Sequence, residues 1–161
     1  MSENLIAKLI PHQGCVITRI DDYIHVAGSA MNWIMSAAVA PFACRPPFVF
    51  RVVGKTDSTN LRMHFHRGEL IFNWERQVHE LRANDPATGE QHGLADKGFL
   101  TTNEWHEILW DIRLDSWRVM VDGDVKFEAK GDYSGIESTP SVGPCFGSAI
   151  CIREFNITPI R

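Results

Sequence analysis

The chain reads as all-β, an antiparallel β-sandwich. Short stretches of apolar/polar alternation recur along most of the 161 residues, and turn residues punctuate them every few positions. No stretch carries the period of a long amphipathic helix. Template matching gives about ten to twelve short strands, the pattern of two sheets packed face to face. The length suits a single domain, 1–161, with a sizeable core.

Taken in order, Leu5–Leu9 reads as a short strand or a helical turn. Cys15–Ile20 and Tyr23–Ala27 alternate on either side of Asp21-Asp22, a hairpin signal. Gly28–Asn32 is a loop. The short length of Trp33–Ala40 and the prolines after it favour strand or irregular structure over helix. Phe48–Lys55 is a strong strand, followed by the turn cluster Lys55–Asn60. Beyond the central stretch, Asp85–Gly98 reads as a long polar loop able to close over the polar face. Ile108, Trp110, Ile112 and Leu114 share one strand face, and Trp117, Val119 and Val121 another, with Asp115-Ser116 as the hairpin between them. Asp122-Gly123 supplies the positive φ angles of a type I′ turn. Val125–Ala129, Ser141–Phe146 and Ala149–Ile157 complete the strands.

The stretch 61–84 organises the rest. It reads as three consecutive strands, with Leu61, Met63 and Phe65, then Leu70, Phe72 and Trp74, then His79, Leu81 and Ala83 on the apolar side. Paired in one sheet, their polar sides align Arg62, His64, His66, Asn73, Glu75, Glu80, Arg82 and Asn84. Planar and rigid hydrogen-bonding groups dominate this set, and strands hold such groups more tightly than loops do. Asn, neutral His, carboxylate and the Arg fork can pair with hydroxyls that both donate and accept. The expected ligand is therefore a carbohydrate, bound on a concave sheet face.

Composition narrows the alternatives. A formal net charge of −4 argues against binding nucleic acid by phosphate neutralisation. The N-terminus lacks a secretory pattern, and the apolar run Met31–Phe48 is too interrupted to span a bilayer, so a cytoplasmic protein without membrane insertion is expected. Cys15, Cys44, Cys145 and Cys151 show no ligand spacing and read as free thiols. No cofactor or catalytic residue is expected.

The order of features resembles the galectins, within the concanavalin A-like lectin and glucanase jelly-roll group. The residues that carry the resemblance are His64-Phe65-His66-Arg67-Gly68, Phe72-Asn73-Trp74, Glu80-Leu81-Arg82 and the downstream strand pair Trp117–Tyr133. It implies a jelly-roll sandwich with His64, Asn73, Glu80 and Arg82 at sugar-binding positions. Three positions depart from the family pattern. His66 replaces an Asn, Gly68 takes the place of an Arg, and Gln77 stands where the family has a stacking Trp. Without that platform the resemblance implies a sugar but does not carry β-galactoside, and alternation puts Trp74 in the core.

Other readings compete with the lectin-like one. The same face is open to a solvated salt-bridge surface. His64 and His66 with Glu75 or Glu80 are a weak metal pattern, and no metal is expected. Glu75 or Glu69 with Glu80 offers a glycosidase pair, but the glucanase Glu-x-Asp-x-x-Glu run is absent. A protein-interaction sandwich is the third alternative. Edge strands of such folds pair into homodimers, but nothing in the chain is diagnostic of one.

Overall fold

The computed structural model describes residues 2–29 and 36–161. The loop placed at Gly28–Asn32 and the apolar run from Trp33 lie partly outside them. Among the described residues the alternating stretches form fourteen strands, preceded by one 3-10 turn at Ile6–Lys8. One sheet has the order β1 (Ile10–His12), β4 (Ala37–Val39), β13 (Ser141–Gly143), β6 (Leu61–Phe65), β7 (Gly68–Phe72), β8 (Leu81–Asn84), β9 (Gln91–Leu94). The other has the order β12 (Asp124–Lys130), β11 (Ser116–Val121), β10 (His106–Ile112), β5 (Phe48–Thr56), β14 (Ala149–Pro159), β3 (Tyr23–Ala27), β2 (Val16–Ile20). Every named strand pair is antiparallel. The chain is thus a two-sheet jelly-roll sandwich. No helix is long and apolar enough to cross a membrane among the described residues.

Alternation explains which side of each strand is buried. Leu61, Met63, Phe65, Leu70, Phe72 and Leu81 turn inward from the first sheet, and Phe50, Val52, Ile108, Trp110, Val119 and Phe155 from the second; all are buried in one core. Phe48 meets Phe65 edge-on at 4.9 Å, which joins the two layers. The Asp122-Gly123 turn has φ of 49° and 88°, as its sequence predicts. All four cysteines are free. Burial pushes the Cys15 thiol up to about 11; burial and then the Glu137 charge push Cys44 up to about 12.

Three local expectations are corrected. Asp85–Gly98 is not a single loop over the face. Asp85–Glu90 forms a turn, and Gln91–Leu94 becomes β9, pairing with β8 at the sheet edge. An edge strand buries little and satisfies the backbone groups of its neighbour, so Gln-His-Gly-Leu needs no apolar alternation. The hairpin between β10 and β11 turns on Leu114-Asp115, closed by Arg113 N–H to Ser116 O at 2.8 Å, rather than on Asp115-Ser116. Leu114 therefore sits at the tip, 49% exposed, instead of in the core. The third central strand begins at Leu81, not His79.

Candidate functional site

The pairing register lines up side chains in rows across the outer face of the first sheet. Ser141, His64 and Glu69 are successive cross-strand partners, and Asn84 lies opposite Gln91. The next row runs Gly143, Arg62, Ile71, Arg82, Gly93. Arg62 and Arg82 thus flank Ile71, two strand spacings or roughly 10 Å apart at the backbone. Ile71 is the apolar floor between them, only 7% exposed although it points away from the core.

Arg62 is the most enclosed charge on the face. Its Nε and Nη2 donate to Asn60 Oδ1 at 3.1 and 2.9 Å, and Nη1 and Nη2 lie 3.4 and 3.5 Å from Glu69 and Glu75. The Glu69 Oε2 also meets His64 Nδ1 at 3.0 Å. The Phe146 ring lies 5.9 Å from the Arg62 guanidinium and is 45% exposed. On the other side of the floor, Arg82 Nη2 donates to Gln91 Oε1 at 2.7 Å, and Nη1 lies 3.9 Å from Glu80. Its guanidinium stacks 4.9 Å from the centre of the Trp74 ring. Glu80 lies over Gly93, where a Cβ would come within 2.0 Å of its Oε1 and would make the carboxylate shift. Asn84 Oδ1 is buried with no hydrogen-bond partner among the described residues.

The structure brings Arg62, His64, Glu75, Glu80, Arg82 and Asn84 onto one face and separates two others from it. His66 occupies the tip of the β6–β7 hairpin with φ 55°, and its Nδ1 lies 2.8 Å from Pro86 O. The hairpin turns on His66-Arg67, so the strand ends before His66 can share the face of His64. Asn73 is fully buried with φ 50°. Its amide clamps the Leu100 backbone, accepting from its N–H at 2.6 Å and donating to its C=O at 2.8 Å. That left-handed residue also corrects the placement of Trp74. It breaks the period of two after Phe72, so Trp74 is half-buried against Arg82 instead of entering the core.

Glu69, Gln91 and Phe146 join this surface without having been read as part of the polar face. Glu69 alternates correctly with Leu70 and was legible as such. Gln91 was hidden inside an expected loop, and Phe146 arrives from a distant part of the chain. Clefts also lie elsewhere, one lined by Asp111, Arg113, Trp117 and Lys130, another by Leu5, Phe42, Cys44 and Phe48. In the first, Asp111 is already neutralised by Arg113 at 2.6 Å and Arg118 at 3.3 Å.

Burial alone would raise the Glu69 carboxyl, but the His64 hydrogen bond and the Arg62 and Arg82 charges hold it below the usual glutamate range. A carboxyl depressed by folding contributes stability that is fully present above its unfolded pKa and is lost as the pH falls through the folded one. Stability should therefore hold from neutral pH to about 5 and decline below about 4. Thermal unfolding from pH 7 to pH 3 should show a shallower acid decline in Glu69→Gln than in the wild type. Identical slopes would remove Glu69 from the acid response.

Two antiparallel sheets with this order, one carrying a polar outer face, define a jelly roll of the galectin-like, concanavalin A-like kind. A protein of unknown function with a galectin-like fold from Bacillus subtilis superposes with a TM-score of 0.75 at 10% identity, over 95% of this chain and 90% of that one. The carbohydrate-binding module CBM66 from Bacillus subtilis gives 0.69 at 8% identity, over 98% of each chain. A β-1,3-1,4-glucanase (lichenase) derived from a mouse hindgut metagenome gives 0.69 at 9% identity, over 99% of each. At these identities the likeness is one of fold. No family model and no curated protein matches the sequence.

Proposed function

We propose that the outer face of β6, β7, β8 and β9 binds a carbohydrate without cleaving it. The observation that carries this reading is the pairing of each guanidinium with an aromatic ring, Arg82 with Trp74 and Arg62 with Phe146, on either side of the apolar Ile71 floor. Sugars present apolar ring faces ringed by hydroxyls, and an aromatic edge beside a planar donor fork matches both. A purely solvated salt-bridge surface gives no reason for arginines laid on rings. The neighbouring folds include a carbohydrate-binding module and a glucanase by name, which is in keeping with the reading. Glycosidase chemistry needs one carboxyl kept protonated near neutral pH. Glu69 is held as a carboxylate and does not supply that acid.

A glycan array probed with the purified protein tests this, with Arg82→Ala and Trp74→Ala beside it. A specific signal is expected, weakened roughly 10- to 100-fold in Arg82→Ala through lost charge-assisted hydrogen bonds and about tenfold in Trp74→Ala. Both variants should melt within a few degrees of the wild type. A blank array, or a signal that both variants retain, would overturn the assignment.

A further inference from the structure

The outer face of the second sheet holds a second group of side chains that the sugar-binding reading does not use. Lys55 Nζ lies 4.7 Å from the centre of the Trp105 ring, and the Arg153 guanidinium 4.8 Å from the same ring. Tyr23 meets Trp105 edge-on at 5.6 Å, and Lys55 also lies 5.8 Å from the Tyr23 ring. Lys55, Cys151 and His25 are successive cross-strand partners on β5, β14 and β3.

A β-bulge builds this arrangement. The register of β14 against β5 shifts between Ile152 and Glu154, leaving Arg153 as the extra residue. Arg153 and Glu154 can then both stand on the outer face, which a regular strand forbids. Arg153 reaches Trp105, whereas Glu154 turns to Arg51. Arg51 also takes Glu107 at 2.8 Å, so Glu107 and Glu154 are both paired. Asp57, whose charge acts on Cys151, accepts from the Ala149 N–H and the Ser58 hydroxyl at 3.1 and 2.9 Å. Among the described residues no carboxylate lies within ion-pair distance of Lys55 or Arg153. Two half-buried cations of like sign thus converge on one indole without a counter-ion. An oxyanion in contact with either cation would supply the missing counter-charge, and a planar donor fork together with an ammonium suits such a group.

We propose that Lys55 and Arg153, with Trp105 as the wall, form a second site on the opposite face from Arg82, and that it takes an oxyanion group: a carboxylate, sulfate or phosphate. The group can come from a free inorganic anion or from an acidic sugar in a chain. Calorimetric titration of the full chain with sodium sulfate, sodium phosphate, an oligogalacturonate and a neutral gluco-oligosaccharide separates these sources. At least one anionic probe is expected to bind, with affinity falling tenfold or more in Lys55→Ala and in Arg153→Ala and declining as salt is raised. Arg82→Ala should leave the response to the inorganic anions unchanged, which separates this site from the sugar-binding face. Lys55→Gln and Arg153→Gln, which keep the aliphatic cover on Trp105, should lose binding as the alanine variants do, and unaltered melting curves would show that folding is not the cause. Tighter binding of oligogalacturonate than of sulfate and phosphate would assign an acidic sugar, and equal or weaker binding a free anion. Absence of binding by all three anionic probes, or undiminished binding in the Lys55→Gln/Arg153→Gln double variant, would overturn the proposal.

Discussion

Trp110→Ala is expected to lower stability by about 3–5 kcal/mol, the range for truncating a large buried aromatic. The indole is fully buried and projects from β10 across the sandwich. It lies so close to β7 that a Cβ on Gly68 would come within 2.9 Å of its ring. Beside it stands Trp117, centroids 6.1 Å apart. Removing the ring therefore opens a void between two sheets whose backbones cannot close on it without breaking their own ladders. The midpoint of urea unfolding should fall, and the melting temperature should drop by roughly 10 °C. Trp110→Phe should cost much less, because it refills most of the volume and removes an indole N–H that has no partner among the described residues. A melting temperature near that of the wild type in Trp110→Ala would contradict the bridging role.

Asp85→Ala should be nearly as damaging, at about 3–5 kcal/mol. The carboxylate accepts from Tyr133 OH at 2.6 Å, Trp117 Nε1 at 3.3 Å, and the N–H groups of Ala87 and Thr88 at 2.8 and 2.9 Å. Alanine would strand the phenol and the indole N–H inside the core and release the turn that leads into β9. Burial by itself would raise the Asp85 carboxyl, but the Tyr133 hydrogen bond and the Thr88 and Ala87 N–H groups hold it below the usual aspartate range. Burial and Asp85 together push the Tyr133 phenol up. The Asp85 contribution is thus complete above about pH 4 and is lost as the pH falls through the depressed value. Denaturant titrations at pH 7 and pH 3 should show the wild type and Asp85→Ala converging in acid. A difference that persists unchanged at pH 3 would point to packing rather than to the carboxylate.

Asp85 also shows how far the sequence could be read. As the first residue of a polar, glycine-containing segment it looked like the start of a loop over the polar face. It is instead a buried anchor whose partners lie 32 and 48 residues away. Polarity marked the turn correctly, but nothing local reveals that a distant tyrosine and tryptophan will converge on its carboxylate. The same holds for Phe146 beside Arg62 and for Gln91 beside Arg82.

The sequence by itself determined the sandwich, the inward faces of its strands, and burial of Trp110 and Trp117. Each follows from the period of two, which backbone geometry imposes on any strand and which one apolar face makes visible. Arg62, His64, Arg82 and Asn84 were legible for the same reason, whereas Glu75 and Glu80 reach the face from the turns between β7 and β8. Tertiary structure decided the rest. A left-handed turn at His66 ended one strand early, and a left-handed Asn73, held by Leu100 from 27 residues on, reversed the alternation and delivered Trp74 to Arg82. The sign of φ at an Asn or His depends on contacts remote in the chain, so only the folded molecule reveals which aromatic rings stand beside the arginines.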